Sequence, residues 1–297
     1  MNGKTSFRIG DRVPRTLHGK HNPEQSGWMQ AGSYSVIGAS VRGRLHCHNM
    51  IPRDDAFVAR FNGTWLVVAV SDGAGSRQNS RYGASFSASR FCGKLFEAVS
   101  SAGAKTREQD EVPNSLKEVM LLAFQYTRID LQQFALKNEV GLDELHCTLL
   151  GLALNVKTGE MGVGQIGDGL IVGLDDKKKT RLLAEPPTTD DPGASYFITQ
   201  SDWKQYLDTR EIPGEEVEHL STFYLMTDGV ANDCQYEPPP DILKIWANDM
   251  DREIRLVPSL QVTADRLEKY LANYKAKGSF DDRTLVVIYR SNEERGT

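Results

Sequence analysis

The sequence predicts an α+β domain built from two antiparallel sheets flanked by helices. Three observations predict it. Apolar, β-rich runs succeed one another across short turns rich in Gly and Asn, as in hairpins. The helical stretches fall in groups between sets of strands. The regular strand–helix alternation that a doubly wound parallel sheet needs is absent.

Each element follows from its own pattern. Residues 34–41 alternate small and apolar side chains and read as a strand. Residues 56–61 and 64–71 flank Asn62-Gly63, a strong two-residue hairpin signal. Tyr82, Phe86, Phe91, Leu95 and Val99 recur at helical spacing and predict a helix over 80–100. A polar linker, 101–111, leads to a second helix over 114–137, with Pro113 and Asn114 as start signals. Its stripe is Leu116, Val119, Met120, Ala123, Phe124 and Leu131, and both stripes read as core. Strands follow at 147–156, 160–166 and 170–174, turning at Lys157-Thr158-Gly159 and at Gly167-Asp168-Gly169. Lys177-Lys178-Lys179 reads as a solvated turn. Residues 182–220 have weak periodicity and several prolines, which predicts an irregular, mobile insertion. Residues 222–227 form a strand, 237–240 a loop, and 262–276 a third helix with Ala264, Leu267, Tyr270 and Leu271 on one side. The last strand covers 284–289, and no internal repeat stands out.

At 297 residues the chain is expected to be one domain over 32–292, after a flexible arm over 1–31 and before a short tail over 293–297. A net charge of −5 argues against a general nucleic-acid binder. No apolar run reaches the roughly 18 residues of a membrane span. The polar first thirty residues lack the apolar core of a signal peptide, so a soluble cytoplasmic protein is expected. Cys47, Cys92, Cys147 and Cys234 are widely and irregularly spaced, which supports neither a zinc cage nor a disulfide framework. His146-Cys147 looks like the start of a cysteine-phosphatase loop. The Arg needed six positions after the Cys is Ala153, and the run between reads as a buried strand.

The chemistry lies in the acids. Asp54-Asp55-Ala56, Ser71-Asp72-Gly73-Ala74-Gly75-Ser76, Thr227-Asp228-Gly229-Val230 and Asp281-Asp282-Arg283-Thr284 each adjoin a predicted strand. One Asp-Gly is more often a turn than a ligand. Carboxylates at strand ends from distant parts of a chain, converging in the fold, are what a hard cation such as Mg²⁺ or Mn²⁺ requires.

Taken in order with Gly38-Ala39-Ser40, His46, Cys147-Thr148-Leu149-Leu150 and Gly167-Asp168-Gly169, these motifs give a pattern over about residues 32–292. That pattern resembles the metal-dependent protein phosphatases of the PP2C type, most closely their compact bacterial branch. The resemblance implies a four-layer αββα sandwich and hydrolysis of phosphoserine or phosphothreonine on proteins, in signalling that opposes a kinase, without nucleic acid or membrane. It implies two Mn²⁺ or Mg²⁺ ions that activate a water. Asp72 matches the bridging ligand, Gly73 the residue whose carbonyl binds a metal, and Asp228 and Asp281 the remaining ligands of the first site. Asp54 matches an acidic ligand of the second metal, direct or through water, and Asp282 falls where many members carry Asn.

The chain departs from the family's pattern at three points. The arginine that grips phosphate in the animal enzymes falls at Met50; His46 is the expected substitute, with Arg42, Arg44 and Arg53 competing. The histidine proposed as general acid is replaced by Ala74. A third metal site would use Asp168, but its second position is Asn232, with Asp233 beside it. The expected catalytic set is therefore Asp72, Asp228 and His46. The competing readings are a catalytically degenerate relative that binds a kinase or phosphoprotein, and a phosphatase for a small phosphorylated molecule.

Overall fold

A computed structural model describes residues 7–17, 22–101, 115–188, 195–235, 241–273 and 280–291. In chain order the elements are β1 (Phe7–Gly10), β2 (Gln25–Ala31), β3 (Tyr34–Val41), α1 (Arg44–Asn49), β4 (Ala56–Phe61), β5 (Trp65–Ser71), α2 (Ser80–Ser101), α3 (Leu116–Lys137) and β6 (Leu149–Asn155). There follow β7 (Met161–Ile166), β8 (Leu170–Asp175), β9 (Thr180–Leu182), β10 (Asp208–Ile212), α4 (Gly214–Glu218), β11 (Leu220–Met226), α5 (Asp228–Gln235), α6 (Ile242–Arg255), α7 (Leu260–Asn273) and β12 (Arg283–Arg290).

The strands form two six-stranded sheets, ordered β1-β4-β5-β6-β7-β10 and β2-β3-β12-β11-β8-β9, antiparallel throughout. The strand period of two sorts the side chains into layers. On β5, Leu66, Val68 and Val70 face the core between the sheets, while Val67 and Ala69 face α2 and α3. On β12, Val286 and Ile288 face between the sheets, while Leu285, Val287 and Tyr289 face α6 and α7. Three cores thus separate four layers, in the order helix, sheet, sheet, helix. Fully buried Phe57 and Phe91 anchor two of them, each side chain contributing about 1.5–3 kcal/mol on burial.

Local chemistry sets the boundaries. The Asn62-Gly63 hairpin joins β4 to β5 in register Phe61↔Leu66, and Gly63 takes φ 91°, open to a residue without Cβ. Helix α3 is capped by Ser115, whose side chain accepts from Glu118 N; the expected start signals Pro113 and Asn114 lie outside the described residues. So do the expected loop at 237–240, the tail at 293–297 and most of the linker at 101–111.

Three expectations need correction. The described residues 7–17 and 22–31 are not a free arm: β1 pairs with β4 and β2 with β3, so they supply an edge strand to each sheet. A buried ion pair secures it, with Arg53 Nη2 donating to Asp11 Oδ1 at 2.5 Å. Polar composition hid these strands because edge strands need bury only one face. The described part of 182–220 is not a structureless insertion either, since β10 pairs with β7 and α4 leads into β11. Lys178 is more than a solvated turn residue: its Nζ donates at 2.8 Å to buried Asp251, which also accepts from Arg255 Nε at 2.8 Å and Thr222 Oγ1 at 2.5 Å. Burial alone would raise the Asp251 carboxyl; these donors together hold it below its ordinary value. Asp251 belongs to α6, a helix the sequence reading did not distinguish.

Candidate metal centre

Five strand ends meet at one edge of the sandwich. β5 delivers Asp72, the turn between β7 and β8 delivers Asp168, and β11 runs through Thr227 into Asp228 at the start of α5. β12 is preceded by Asp281 and Asp282, and β4 by Asp54 and Asp55. The ends of neighbouring strands β11 and β12 come very close here: a Cβ on Gly229 would stand 1.9 Å from the Asp282 carbonyl oxygen.

Asp72, Asp168 and Asp228 each present a carboxylate oxygen within 4.8 Å of the others. Asp55 joins them through a side-chain contact with Asp72. Crowding like charges in a partly buried place raises their proton affinities. Burial pushes Asp72 well above the carboxylate range, and the charges of Asp55, Asp228 and Asp281 add to it. Burial and Asp281 carry Asp228 to about 7, burial and Asp282 raise Asp55, and burial raises Asp168 and Asp281.

The donor set fits a hard cation. Buried Oδ1 atoms of Asp55 and Asp228 have no hydrogen-bond partner among the described residues, and the cluster contains only oxygen donors. The other oxygens of these groups are organised by neighbours. Asp55 Oδ2 accepts from Thr227 Oγ1 at 2.8 Å and Thr284 Oγ1 at 2.7 Å. Asp228 Oδ2 accepts from Asn232 Nδ2 at 3.3 Å, and Asp168 Oδ1 from Ser195 Oγ at 3.0 Å. The backbone of Asp72 is pinned to Thr148, whose N donates to Asp72 O at 2.8 Å while its Oγ1 accepts from Asp72 N at 3.0 Å. Gly73 packs so closely that a Cβ would lie 2.8 Å from the Ser80 carbonyl carbon.

Asp54 is turned elsewhere. Its Oδ1 lies 3.2 Å from Arg81 Nε, and its Oδ2 is 3.4 Å from Ser80 Oγ and 3.8 Å from His46 Nε2. Burial lifts it to about 6 against the pull of Arg81 and His46. His46, buried on α1, has Nδ1 2.9 Å from both carboxylate oxygens of Asp282. That hydrogen bond is the largest influence on the imidazole and raises its proton affinity above the ordinary value, against burial. Asp282 itself is buried and also accepts from Gly43 N at 2.6 Å and from Asp54 N. Asp281, one residue earlier, is exposed at the site.

Beside these groups opens a pocket of about 560 Å³ lined by His46, Asp54, Arg77, Arg81 and Tyr82 among others. The competing arginines are not free for it. Arg53 is fully buried on Asp11, Ser40 and the Asp55 carbonyl; Arg44 stacks over Phe280 at 5.3 Å; Arg42 pairs with Glu24 at 3.2 Å. Met50 is 87% exposed. Cys147 is buried against Ser87, and burial pushes its thiol to about 11, consistent with a structural role.

Sequence reasoning missed Asp55, Arg81 and the clamping role of Asp282. The strand period held a signal for Asp55, since adjacent residues at the start of β4 point to opposite faces and only one of the pair can face Asp72. Arg81 stands in the first turn of α2, where a cation opposes the helix dipole and no acid offsets it. Such local rule-breaking marks a residue held for another reason.

Comparisons with known proteins agree with the fold. Among solved structures, a serine-threonine phosphatase 2C from Toxoplasma gondii superposes with a TM-score of 0.60 at 12% identity, over 91% of this chain and 99% of that one. A C. elegans sex determining protein gives 0.60 at 13% identity, over 90% of this chain and 66% of its own. At these identities the likeness speaks for the fold. No curated protein sequence matches the chain. The sequence model described as Protein phosphatase 2C matches residues 42–282, a stretch that holds Asp54, Asp55, Asp72, Asp168, Asp228, Asp281 and Asp282. The chain therefore belongs to the protein phosphatase 2C family.

Proposed function

We propose that the protein hydrolyses phosphoserine and phosphothreonine esters on proteins, opposing a serine/threonine kinase in the cytoplasm. The observation that carries this is the cluster of Asp72, Asp168 and Asp228, with unpaired buried oxygens on Asp55 and Asp228. Asp72, Asp228, Asp281 and the Gly73 carbonyl are the proposed holders of two Mn²⁺ or Mg²⁺ ions; Asp54 serves the second ion, and Asp168 extends the set. When bound, a pair of such ions lowers the pKa of a water and neutralises charge on the phosphoryl group.

The chain's own residues supply the rest. Arg81 and His46 line the pocket from one side and are suited to hold phosphoryl oxygens, the guanidinium by paired hydrogen bonds. Asp54 orients both, and Asp282 fixes the imidazole so that Nε2 is the nitrogen directed at the pocket. A seryl oxygen leaves poorly without a proton. Ala74 has none to give, and His46, whose proton affinity the Asp282 hydrogen bond raises, is placed to deliver one from Nε2.

The test pairs turnover with a reading of metal binding. A phosphoserine peptide should be hydrolysed with Mn²⁺ and not with EDTA, and Mn²⁺ should raise the Tm. Asp72→Asn and Asp228→Asn should lose both effects. Full hydrolysis in EDTA, abolished by thiol alkylation, would overturn the proposal in favour of Cys147. A Mn²⁺-raised Tm without turnover of any phosphopeptide would instead identify a binding module.

A further inference from the structure

We propose that the protein also grips its substrate outside the phosphorylated residue, taking an acidic stretch of the polypeptide in a cationic trough along α2. This rests on the phosphoprotein reading for the substrate's identity, though not for the trough itself.

The trough is continuous with the site pocket. Tyr82 lines both that pocket and a neighbouring one of about 660 Å³, whose walls include Arg12, Arg15 and Ser85. Arg12 and Arg15 in turn wall a third pocket of about 810 Å³, completed by Phe86, Arg90 and Lys137. Tyr82, Ser85, Phe86 and Arg90 share one face of α2. At 1.5 Å per residue they span about 12 Å, the length of about four residues of extended peptide.

The charges in this trough run against those of the whole protein. The chain carries a net charge of −5, yet the two outer pockets are lined by Arg8, Arg12, Arg15, Arg90 and Lys137. Their acids are Asp11 and Asp130. Asp11 is committed to buried Arg53, and Asp130 lies 3.7 Å from both Arg90 and Lys94. Arg12 and Arg15 are exposed and form no ion pair with any described residue. Two guanidinium groups without an ion pair among the described residues, beside the site pocket and on the segment that Arg53 anchors through Asp11, favour carboxylates placed within a few residues of the phosphoester.

Binding of fluorescein-labelled phosphoserine peptides, followed by anisotropy in EDTA at low salt, reads the trough without turnover. One peptide carries four acidic residues N-terminal to the phosphoserine, a second carries them C-terminal, and a third has neutral flanks. Exposed ion pairs contribute a factor of about two to five each, so one acidic peptide should bind about tenfold tighter than the neutral one. Arg12→Gln/Arg15→Gln should cut that preference to within about twofold, as should 0.5 M salt, which screens beyond a few ångström. Arg90→Gln, a second variant, should weaken the same peptide. Equal affinity for all three peptides, or a preference untouched by both variants, would overturn the proposal. So would a single-stranded oligonucleotide of equal charge that competes as well as the acidic peptide. With Mn²⁺ added, parent and double variant should hydrolyse the neutral peptide and an aryl phosphate equally. Hydrolysis of none of them, with the binding preference intact, would refute the phosphatase reading and leave the trough standing.

Discussion

Replacing Asp282 by Asn tests how the site is held. The family pattern tolerates Asn here, so the sequence alone predicts a mild effect. The structure reverses that expectation. The Asp282 carboxylate receives three N–H donors: Gly43 N at 2.6 Å, His46 Nδ1 at 2.9 Å and Asp54 N. An amide offers one acceptor oxygen and one NH₂, so its NH₂ must face either the Gly43 or the Asp54 N–H. A buried N–H left unpaired costs about 1–3 kcal/mol, and a lost charge-assisted bond to the imidazole about 1.5–3 kcal/mol. Removing a buried charge returns part of this. The net is about 2–4 kcal/mol out of a typical total of about 5–15 kcal/mol. For a chain of this size, with an unfolding entropy of about 0.6 kcal/mol/K, that corresponds to a Tm lower by roughly 3–6 °C. Calorimetry in EDTA measures it free of metal effects. Without its charged partner the His46 imidazole should also titrate at lower pH than in the parent, visible by NMR. Asp281→Asn is the control: it removes a like charge from an exposed position, so Tm in EDTA should hold or rise while stabilisation by Mn²⁺ falls. A Tm change below about 2 °C in Asp282→Asn, with unaltered KM for phosphopeptide, would refute the clamp.

Gly229→Ala puts a methyl carbon 1.9 Å from the rigid Asp282 carbonyl oxygen, so strands β11 and β12 must part at the site; about 1–3 kcal/mol of stability should be lost, together with most of the Mn²⁺-induced rise in Tm. Iodoacetamide at pH 8 should modify Cys47 but leave Cys92 and Cys147 unlabelled by mass spectrometry, because burial raises their thiols to about 12 and about 11 and so keeps the thiolate scarce; phosphopeptide turnover should survive the treatment. Asp251→Ala strips a buried carboxylate from Arg255, Thr222 and Lys178; discounted for the exposure of Lys178, the loss should be about 2–3 kcal/mol by urea denaturation, with kcat unchanged.

What the sequence disclosed follows a physical divide. Strands at 34–41, 56–61 and 64–71 were legible because both faces are buried and the Asn62-Gly63 turn has few alternatives. Helices α2, α3 and α7 were legible from their apolar stripes. β1, β2 and β10 were not, because an edge strand draws half its stability from pairing and shows little periodicity. Helix α6 was missed although it is amphipathic, lying as it does between Pro238-Pro239-Pro240 and Pro258. At the site, Asp72, Asp168 and Asp228 were readable one by one, and the structure brings them together. Which of Asp54 and Asp55 faces Asp72, and that Asp282 serves the imidazole, depend on side-chain direction and on partners about 230 residues apart in sequence. No local pattern encodes those.

The register of the second sheet has a consequence for biosynthesis. β3 lies between β2 and β12, and Tyr34 pairs with Arg290. On a ribosome adding about 5–20 residues per second, β3 therefore waits about 10–50 s for one of its two neighbours. During that time a strand that is buried along its whole length in the finished fold presents an open hydrogen-bonding edge, the kind of surface that recruits holding chaperones or seeds aggregation. Asp281 and Asp282 emerge together with β12, so the candidate metal centre and the His46 clamp close only after about 280 residues have been made. A chain stalled before β12 would carry Asp72 and Asp228 but lack Asp281, Asp282 and the strand that pairs with both β3 and β11.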